Sequence, residues 1–278
     1  MNSPNKALID DLLIVIVIYK LSLNDSQTWQ SLIKWLPTPA TIYVHDNSPT
    51  AQVAPHTQHF VLYHHDSANG GVSKAYNMAL VKATTKSKGW VLLLDQDTNL
   101  TEGFFQKFAE SILAYPDKSF FAPILKDNKG TVSPFLYTDG VSQKLTAVIP
   151  GLFSFEKYRV ANNGTFIRTA ALAQAGGFDE KLPLDFSDIY FQEKLLSTQP
   201  EFVVVESIVN HNFSGSFINN RQQSLHRYKI FSTSCRTMKS LTGGNNFQKV
   251  SLKRALNLSF RFFSIRFIAI HFQVWSSR

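Results

Sequence analysis

An apolar run, Val91-Leu92-Leu93-Leu94, delivers Asp95, Gln96 and Asp97 to what reads as a strand end. On an extended chain, positions i and i+2 share a face. Asp95 and Asp97 could therefore converge on one hard cation, or divide a cation and a sugar hydroxyl between them. Oxygen ligands suit Mg²⁺ or Mn²⁺. The same spacing also serves to end a strand and cap a turn. Two more polar clusters, Asp46-Asn47-Ser48 and Asn69-Gly70-Gly71, follow apolar runs in the same way. Farther along, Asp185 and Asp188 lie three residues apart, which places both on one face if that stretch is helical.

The elements that would carry these groups alternate. Leu12 to Tyr19 is continuous and β-branched, as a strand covered on both faces must be. Ser26 to Leu36 is helix-like and stops at Pro37; Ala40 to His45 and Phe60 to His64 read as strands. Val72 to Lys82 is a helix and Gly89 to Leu94 a fourth strand. Thr101 to Tyr115 reads as a helix capped by Thr101, with Phe104, Phe105, Phe108 and Leu113 as its apolar face. Residues 116–160 are less regular and include a hairpin-like turn at 127–130. The alternation predicts an α/β fold with a mainly parallel, Rossmann-like sheet flanked by helices, and ligands beyond the carboxyl ends of its strands. All three polar clusters fall at such ends.

The chain of 278 residues is long enough to bury a large core, and its 23 Phe argue for a folded protein. A single cysteine, Cys235, excludes an intramolecular disulfide and a cysteine-based zinc site. No segment offers about 18 uninterrupted apolar residues, so no transmembrane helix is expected. The formal net charge of +8 conceals an asymmetry: residues 207–278 hold 11 Lys/Arg and no Asp or Glu. Such a surface attracts phosphate, whether in lipid, nucleic acid or a charged substrate.

Taken in order, Ile14 to Lys20, His45-Asp46-Asn47-Ser48, the run Asn69 to Asn77, Leu93 to Asp97, Gly176 to Glu180 and Asp185 to Asp188 resemble the family 2 glycosyltransferases, especially the rhamnosyltransferase-like branch. The resemblance covers roughly residues 12–240. It implies the fold called GT-A and an inverting, metal-dependent transfer of a sugar, rhamnose first among the guesses, from a nucleotide diphosphate donor. The acceptor would be a saccharide or lipid-linked saccharide, as in cell-surface polysaccharide synthesis.

The resemblance also implies roles. Tyr19, Asp46, Asn69, Gly70, Gly71, Lys74, Asn77, Asp95 and Gln96 would meet the donor, with the Gly-rich loop and the following helix N-terminus facing the diphosphate. Lys74 could equally be solvated surface. Asp97, with Asp95 and His211, would hold Mg²⁺ or Mn²⁺, although a His there could simply cap a strand. Asp188 would be the base and Asp185 its runner-up.

This divides the chain into a catalytic domain, 1–210, with a donor half (1–100) and an acceptor half (101–210), and a basic aromatic helical extension, 211–278. In residues 250–278, Leu252, Leu256, Phe260, Phe263, Phe267, Ile270 and Val274 form a stripe at helical spacing. That stripe suits an interfacial helix on an anionic membrane, or packing on the protein itself or on a second copy. A cytoplasmic protein, peripheral on the inner face of the cell membrane, is expected. The competing reading is a non-enzymatic basic module on nucleic acid or anionic lipid; nucleic acid is disfavoured, since no recognisable binding motif is present.

Overall fold

The computed structural model describes residues 4–53, 57–211 and 220–276, with His211 described through its backbone alone. In chain order, α1 (Pro4–Asp10) precedes β1 (Leu12–Ile18), α2 (Gln27–Trp35), β2 (Thr41–Asp46) and β3 (Phe60–His65). Then come α3 (Gly71–Thr85), β4 (Trp90–Asp95), β5 (Thr98–Asn99), α4 (Phe104–Ala114), β6 (Phe120–Asp127) and β7 (Gly130–Ser133). The strands β8 (Phe135–Thr138), β9 (Val141–Lys144), β10 (Gly151–Ser154), β11 (Tyr158–Arg159) and β12 (Thr165–Arg168) follow. Next are α5 (Thr169–Gln174), α6 (Ser187–Leu195) and β13 (Glu201–His211). The chain closes with α7 (Arg221–Thr242), α8 (Phe247–Phe262) and α9 (Arg266–Ser276).

The main sheet has the order β10-β13-β6-β12-β4-β1-β2-β3, with β5 and β7 paired at its side. β4, β1, β2 and β3 run parallel to one another; β12 runs antiparallel to both β4 and β6, and β13 parallel to β6. A small antiparallel sheet, β11-β8-β9, stands apart. This is the expected mainly parallel α/β architecture flanked by helices.

β1 shows why. All seven of its residues are buried, yet they serve two cores. Leu12, Ile14, Ile16 and Ile18 pack with Trp29 of α2 and Phe104 of α4. Leu13, Val15 and Val17 pack with Ala75, Tyr76 and Ala79 of α3. The period of two sends alternate side chains to opposite faces, and a helix layer on each face makes both apolar. Burying each such side chain contributes about 1.5–3 kcal/mol.

Several expectations change. Thr101 does not cap α4: Gly103 does, with φ 74, while the Thr101 hydroxyl donates to the Ile208 carbonyl. Leu113 is 64% exposed and lies off the apolar face. The loosely read 116–160 region contains six strands: β6 is an eight-residue strand whose first six residues are buried, an apolar run without alternation, and the other five have two to four residues each, although the turn at 127–130 does join a hairpin. The tail is not one striped helix. α8 ends at Phe263 in the left-handed region, and α9 restarts at Arg266. α7, α8 and α9 share a core of their own, in which Tyr228, Met238 and Phe267 meet Tyr137, Leu182 and Ile189 of the body. Among the described residues, no helix is long and apolar enough to cross a membrane.

Candidate active site

Strand register gathers the first acids. Asp46 pairs with Ile18 and Asp95 with Val17, so the two carboxylates flank the end of β1 from its two neighbours. Asp46 is buried and heavily bonded. Its oxygens accept from the Ser48 amide at 2.8 Å, the Tyr63 hydroxyl at 2.7 Å and the Gln52 amide at 3.0 Å. Burial alone would raise this carboxyl, but those bonds outweigh it and hold it below its ordinary value.

β4 stops at Asp95, and Gln96 and Asp97 form a turn before β5. The common-face argument for Asp95 and Asp97 therefore fails, because the chain between them is not extended. The N-terminus of α2 holds the turn instead. Ser26 caps that helix and also donates to the Gln96 carbonyl at 2.7 Å; Thr28 donates its hydroxyl to the Asp95 carbonyl and its amide to that of Gln96. On the other side the Asn163 side chain accepts from the Asp95 amide and from the Thr98 hydroxyl. Gln96 spends its side-chain oxygen on the Tyr19 amide at 2.7 Å, bracing the loop after β1.

The Gly-rich loop is also prearranged. Asp66 accepts from the Gly70 amide at 3.1 Å and pairs with Lys74 at 2.8 Å. Burial opposes ionisation of Asp66, but Lys74 and the Gly70 amide win and keep it below its ordinary value. Lys74 is thus engaged from below rather than simply solvated. A Cβ on Gly70 would fall 2.3 Å from the Lys74 side chain, and one on Gly71, at φ +84, 2.2 Å from the Pro183 carbonyl oxygen. Asn69 also holds a positive φ of 52.

At the N-terminus of α3 the Val72 amide donates to the Pro183 carbonyl, and the Ser73 hydroxyl bonds Leu182 and Ser187. Through these two residues it clasps the segment leading to Asp188. Asn77 works likewise, bonding Phe178 through both side-chain atoms and Glu180 through its nitrogen.

Asp188 lies in the first turn of α6, behind Phe186 at φ 64. Asp185 precedes the helix, so the two acids do not share a helical face. Asp185 is gripped by both guanidinium nitrogens of Arg227 from α7. Burial, then the neighbouring charges of Asp95 and Asp185, push the Asp188 carboxyl up to about 6, against the pull of its own backbone amides. The Tyr76 hydroxyl, 3.5 Å from Asp95 and within reach of both acids' charge, is driven well above its ordinary value by burial first.

The structure therefore brings Asp95, Asp188 and Tyr76 together, with Asp46 across β1. Tyr76, Asp66 and Asn163 were not singled out as site residues. Tyr76 lies inside the run Asn69 to Asn77, but nothing in the one-dimensional pattern aims its side chain, or that of Asn163, at Asp95. Tyr19 is half exposed and lines, with Lys20, Gln222, His226, Arg227 and Ile270, a cavity of about 720 Å³ between the end of β1 and the C-terminal helices. His211 pairs with Thr98 through its backbone; its side chain lies outside the described residues. Among the described residues no three His, Cys, Asp or Glu side chains form a metal-binding group. The donor set at hand, two carboxylates in a turn, fits a hard cation only if further oxygens complete its shell.

The model of the family described as glycosyl transferase family 2 matches residues 14–174. Among solved structures, that of S. aureus TarS 1-349 superposes with a TM-score of 0.55 and 17% identity, covering 93% of this chain and 80% of that one. The mannosyltransferase PcManGT from Pyrobaculum calidifontis, in complex with GDP-Man and Mn²⁺, gives 0.55 at 10% identity over 96% of this chain and 76% of its own. GalNAc-T7 with UDP, GalNAc and Mn²⁺ gives 0.54 at 13% identity, covering 93% of this chain and 56% of that one. At these identities the likeness is one of fold. No curated protein sequence matches the chain.

Proposed function

Because the chain belongs to glycosyl transferase family 2, and is a glycosyltransferase of the GT-A fold, we propose that it transfers a sugar with inversion from a nucleotide diphosphate donor to a hydroxyl of a saccharide or lipid-linked saccharide. The donor we favour is deoxythymidine-diphosphate rhamnose, and the setting is polysaccharide synthesis at the inner membrane face. The observation that carries the reading is the juxtaposition of Asp188 with Asp95 at the end of the parallel strands.

In this reading Asp46 receives the nucleoside through its ribose or base, and the loop Asn69-Gly70-Gly71 lets backbone approach the diphosphate. Asp97 and Asp95 would hold Mg²⁺ or Mn²⁺, which when bound supplies Lewis-acid stabilisation of the departing diphosphate. Asp188 takes the proton of the acceptor hydroxyl as that oxygen attacks the anomeric carbon and the bond to the diphosphate oxygen breaks. A carboxyl pushed up to about 6 is a stronger base than an ordinary aspartate, yet still ionised at neutral pH. Asp185 serves to anchor α7 through Arg227. The catalytic unit is residues 1–210, and 211–278 extends it towards the acceptor.

The test is a screen of nucleotide sugars for thermal stabilisation with and without Mn²⁺, followed by release of nucleoside diphosphate in the presence of saccharide acceptors. Stabilisation by the rhamnose donor in Mn²⁺ alone, with a product of inverted anomeric configuration by NMR, is expected. Turnover of another donor would replace rhamnose; metal-independent turnover would remove the cation; turnover of none would remove the whole reading.

A further inference from the structure

Five large apolar side chains on the last two helices and the corner between them have no place in the core. Leu256, Phe260, Phe263, Ile265 and Phe272 are all exposed, Phe263 at 90% and both Phe260 and Ile265 at 80%. Their spacing makes them continuous. Leu256 and Phe260 stand one turn apart on the outer face of α8; Ile265 immediately precedes α9, and Phe272 lies seven residues on from it, within that helix. The Phe260 and Phe263 rings lie 6.2 Å apart at the corner that joins the helices.

The backbone at that corner is costly. Phe263 ends α8 at φ 47 and ψ 50, a conformation that Gly adopts freely and a bulky L-residue does not. An aromatic ring held outward on a left-handed residue is a feature that folding alone does not reward. The inner faces cannot take these groups back, because Ala255, Phe267 and Val274 already fill them.

The charge around the corner selects the partner. Lys253, Arg261 and Arg266 flank the apolar residues on exposed positions, and residues 207–278 contain no acid at all. Two copies of this chain meeting here would oppose like charges, and a protruding corner offers little of the roughly 1,200–2,000 Å² of a stable protein interface. A bilayer of anionic lipid answers both features: aromatic and aliphatic side chains enter the acyl boundary while Lys and Arg meet the headgroups.

We infer that the α8–α9 corner, Phe260-Arg261-Phe262-Phe263-Ser264-Ile265-Arg266, is a wedge that inserts into an anionic lipid surface. The stripe predicted along the tail is thereby narrowed to one corner, since Phe267 and Val274 of that stripe face the protein. Ile270, in the second turn of α9, lines the cavity shared with Tyr19 and Arg227, so the helix that starts at the wedge runs to the site. The inference concerns where the protein sits and is measured without nucleotide or acceptor, so it can fail independently of the transferase reading.

The experiment is co-sedimentation of the full chain with vesicles of phosphatidylcholine alone or mixed with phosphatidylglycerol. Wild type is expected to bind only the anionic vesicles, with binding weakened by salt. The triple variant F260S/F263S/I265S is expected to lose at least about tenfold in partition while keeping the wild-type unfolding midpoint, since none of its side chains is buried. Should that variant misfold, F263C labelled with an environment-sensitive dye gives a second reading, because Cys235 is buried. A blue shift on adding anionic vesicles supports insertion; no shift overturns it. Wild-type binding to neither vesicle, undiminished binding by the triple variant, or a dimer that dissociates on F260S/F263S/I265S would each overturn the wedge.

Discussion

Around the ends of β1, β2 and β4, carboxylates are met by protein donors; at the α8–α9 corner, Phe260, Phe263 and Ile265 stand largely exposed. Asp46 has three partners, Asp66 has Gly70 and Lys74, and the Asp95–Thr98 turn is held by α2 on one side and Asn163 on the other. The corner instead holds Phe263 outward on strained backbone. The difference teaches what each region is built to do. A site that must place charge within fractions of an ångström stabilises its geometry in advance, whereas a surface that meets a fluid needs only the right chemistry on the right side.

The largest break in this comparison is Asp188→Asn. Transfer should fall about 10²–10⁴-fold while nucleotide binding persists, read by turnover and by calorimetric titration. Wild-type activity should rise with pH through about 6, and that limb should vanish in the variant. Stability moves the other way. The folded carboxyl titrates near 6 and the unfolded one near 3.8, so the native state binds more protons between these values and loses stability as pH rises through them. Asp188→Asn should therefore unfold at a higher temperature near neutral pH, with the gain disappearing below about pH 4.

Asp66→Ala should be next, lowering kcat/KM about 10–100-fold, chiefly through donor KM, because the Gly70 amide and Lys74 lose their anchor. An unchanged KM would mean that the loop is placed without Asp66. Arg227→Ala tests the link between the two regions. It strips Asp185 of a two-point partner and should cost about 1–3 kcal/mol in urea unfolding. Smallest is Phe263→Gly, which should stabilise the free protein by about 0.5–1 kcal/mol by relieving the left-handed residue, and yet weaken vesicle binding. Loss of stability there would show that the exposed ring is structural.

Much of the frame was legible because one-dimensional periodicity reports burial. The β-branched run at Leu12–Ile18, the Ser26 cap before α2 and the glycines at 70–71 each state a local physical requirement, and each element starts within a residue of its expected place, although α3 runs three residues past its expected end. The extension was less legible. Aromatic residues on every face of 250–278 hid the break at Phe263, since a left-handed residue other than Gly leaves no mark in the pattern. Between 116 and 160 the short strands, of two to four residues, carry too few alternations to register, and the interior strand β6 is a continuous apolar run interrupted by Pro123, which alternates nowhere.

The sequence by itself determined that acids stand at strand ends, that the last 72 residues are wholly basic in their charge, and that a family 2 glycosyltransferase frame holds them, for these depend on composition and local order. Only the tertiary structure decided which polar groups are already spent. Lys74 is tied to Asp66, Asn77 to Phe178 and Glu180, Gln96 to Tyr19 and Asp185 to Arg227, while Tyr76 joins Asp95 and Asp188. Those pairings span up to 112 residues of chain in the case of Tyr76 and Asp188. Hydrogen bonds and carboxylate repulsion act through a few ångströms of space, and nothing in local sequence order says which distant groups the sheet will bring that close.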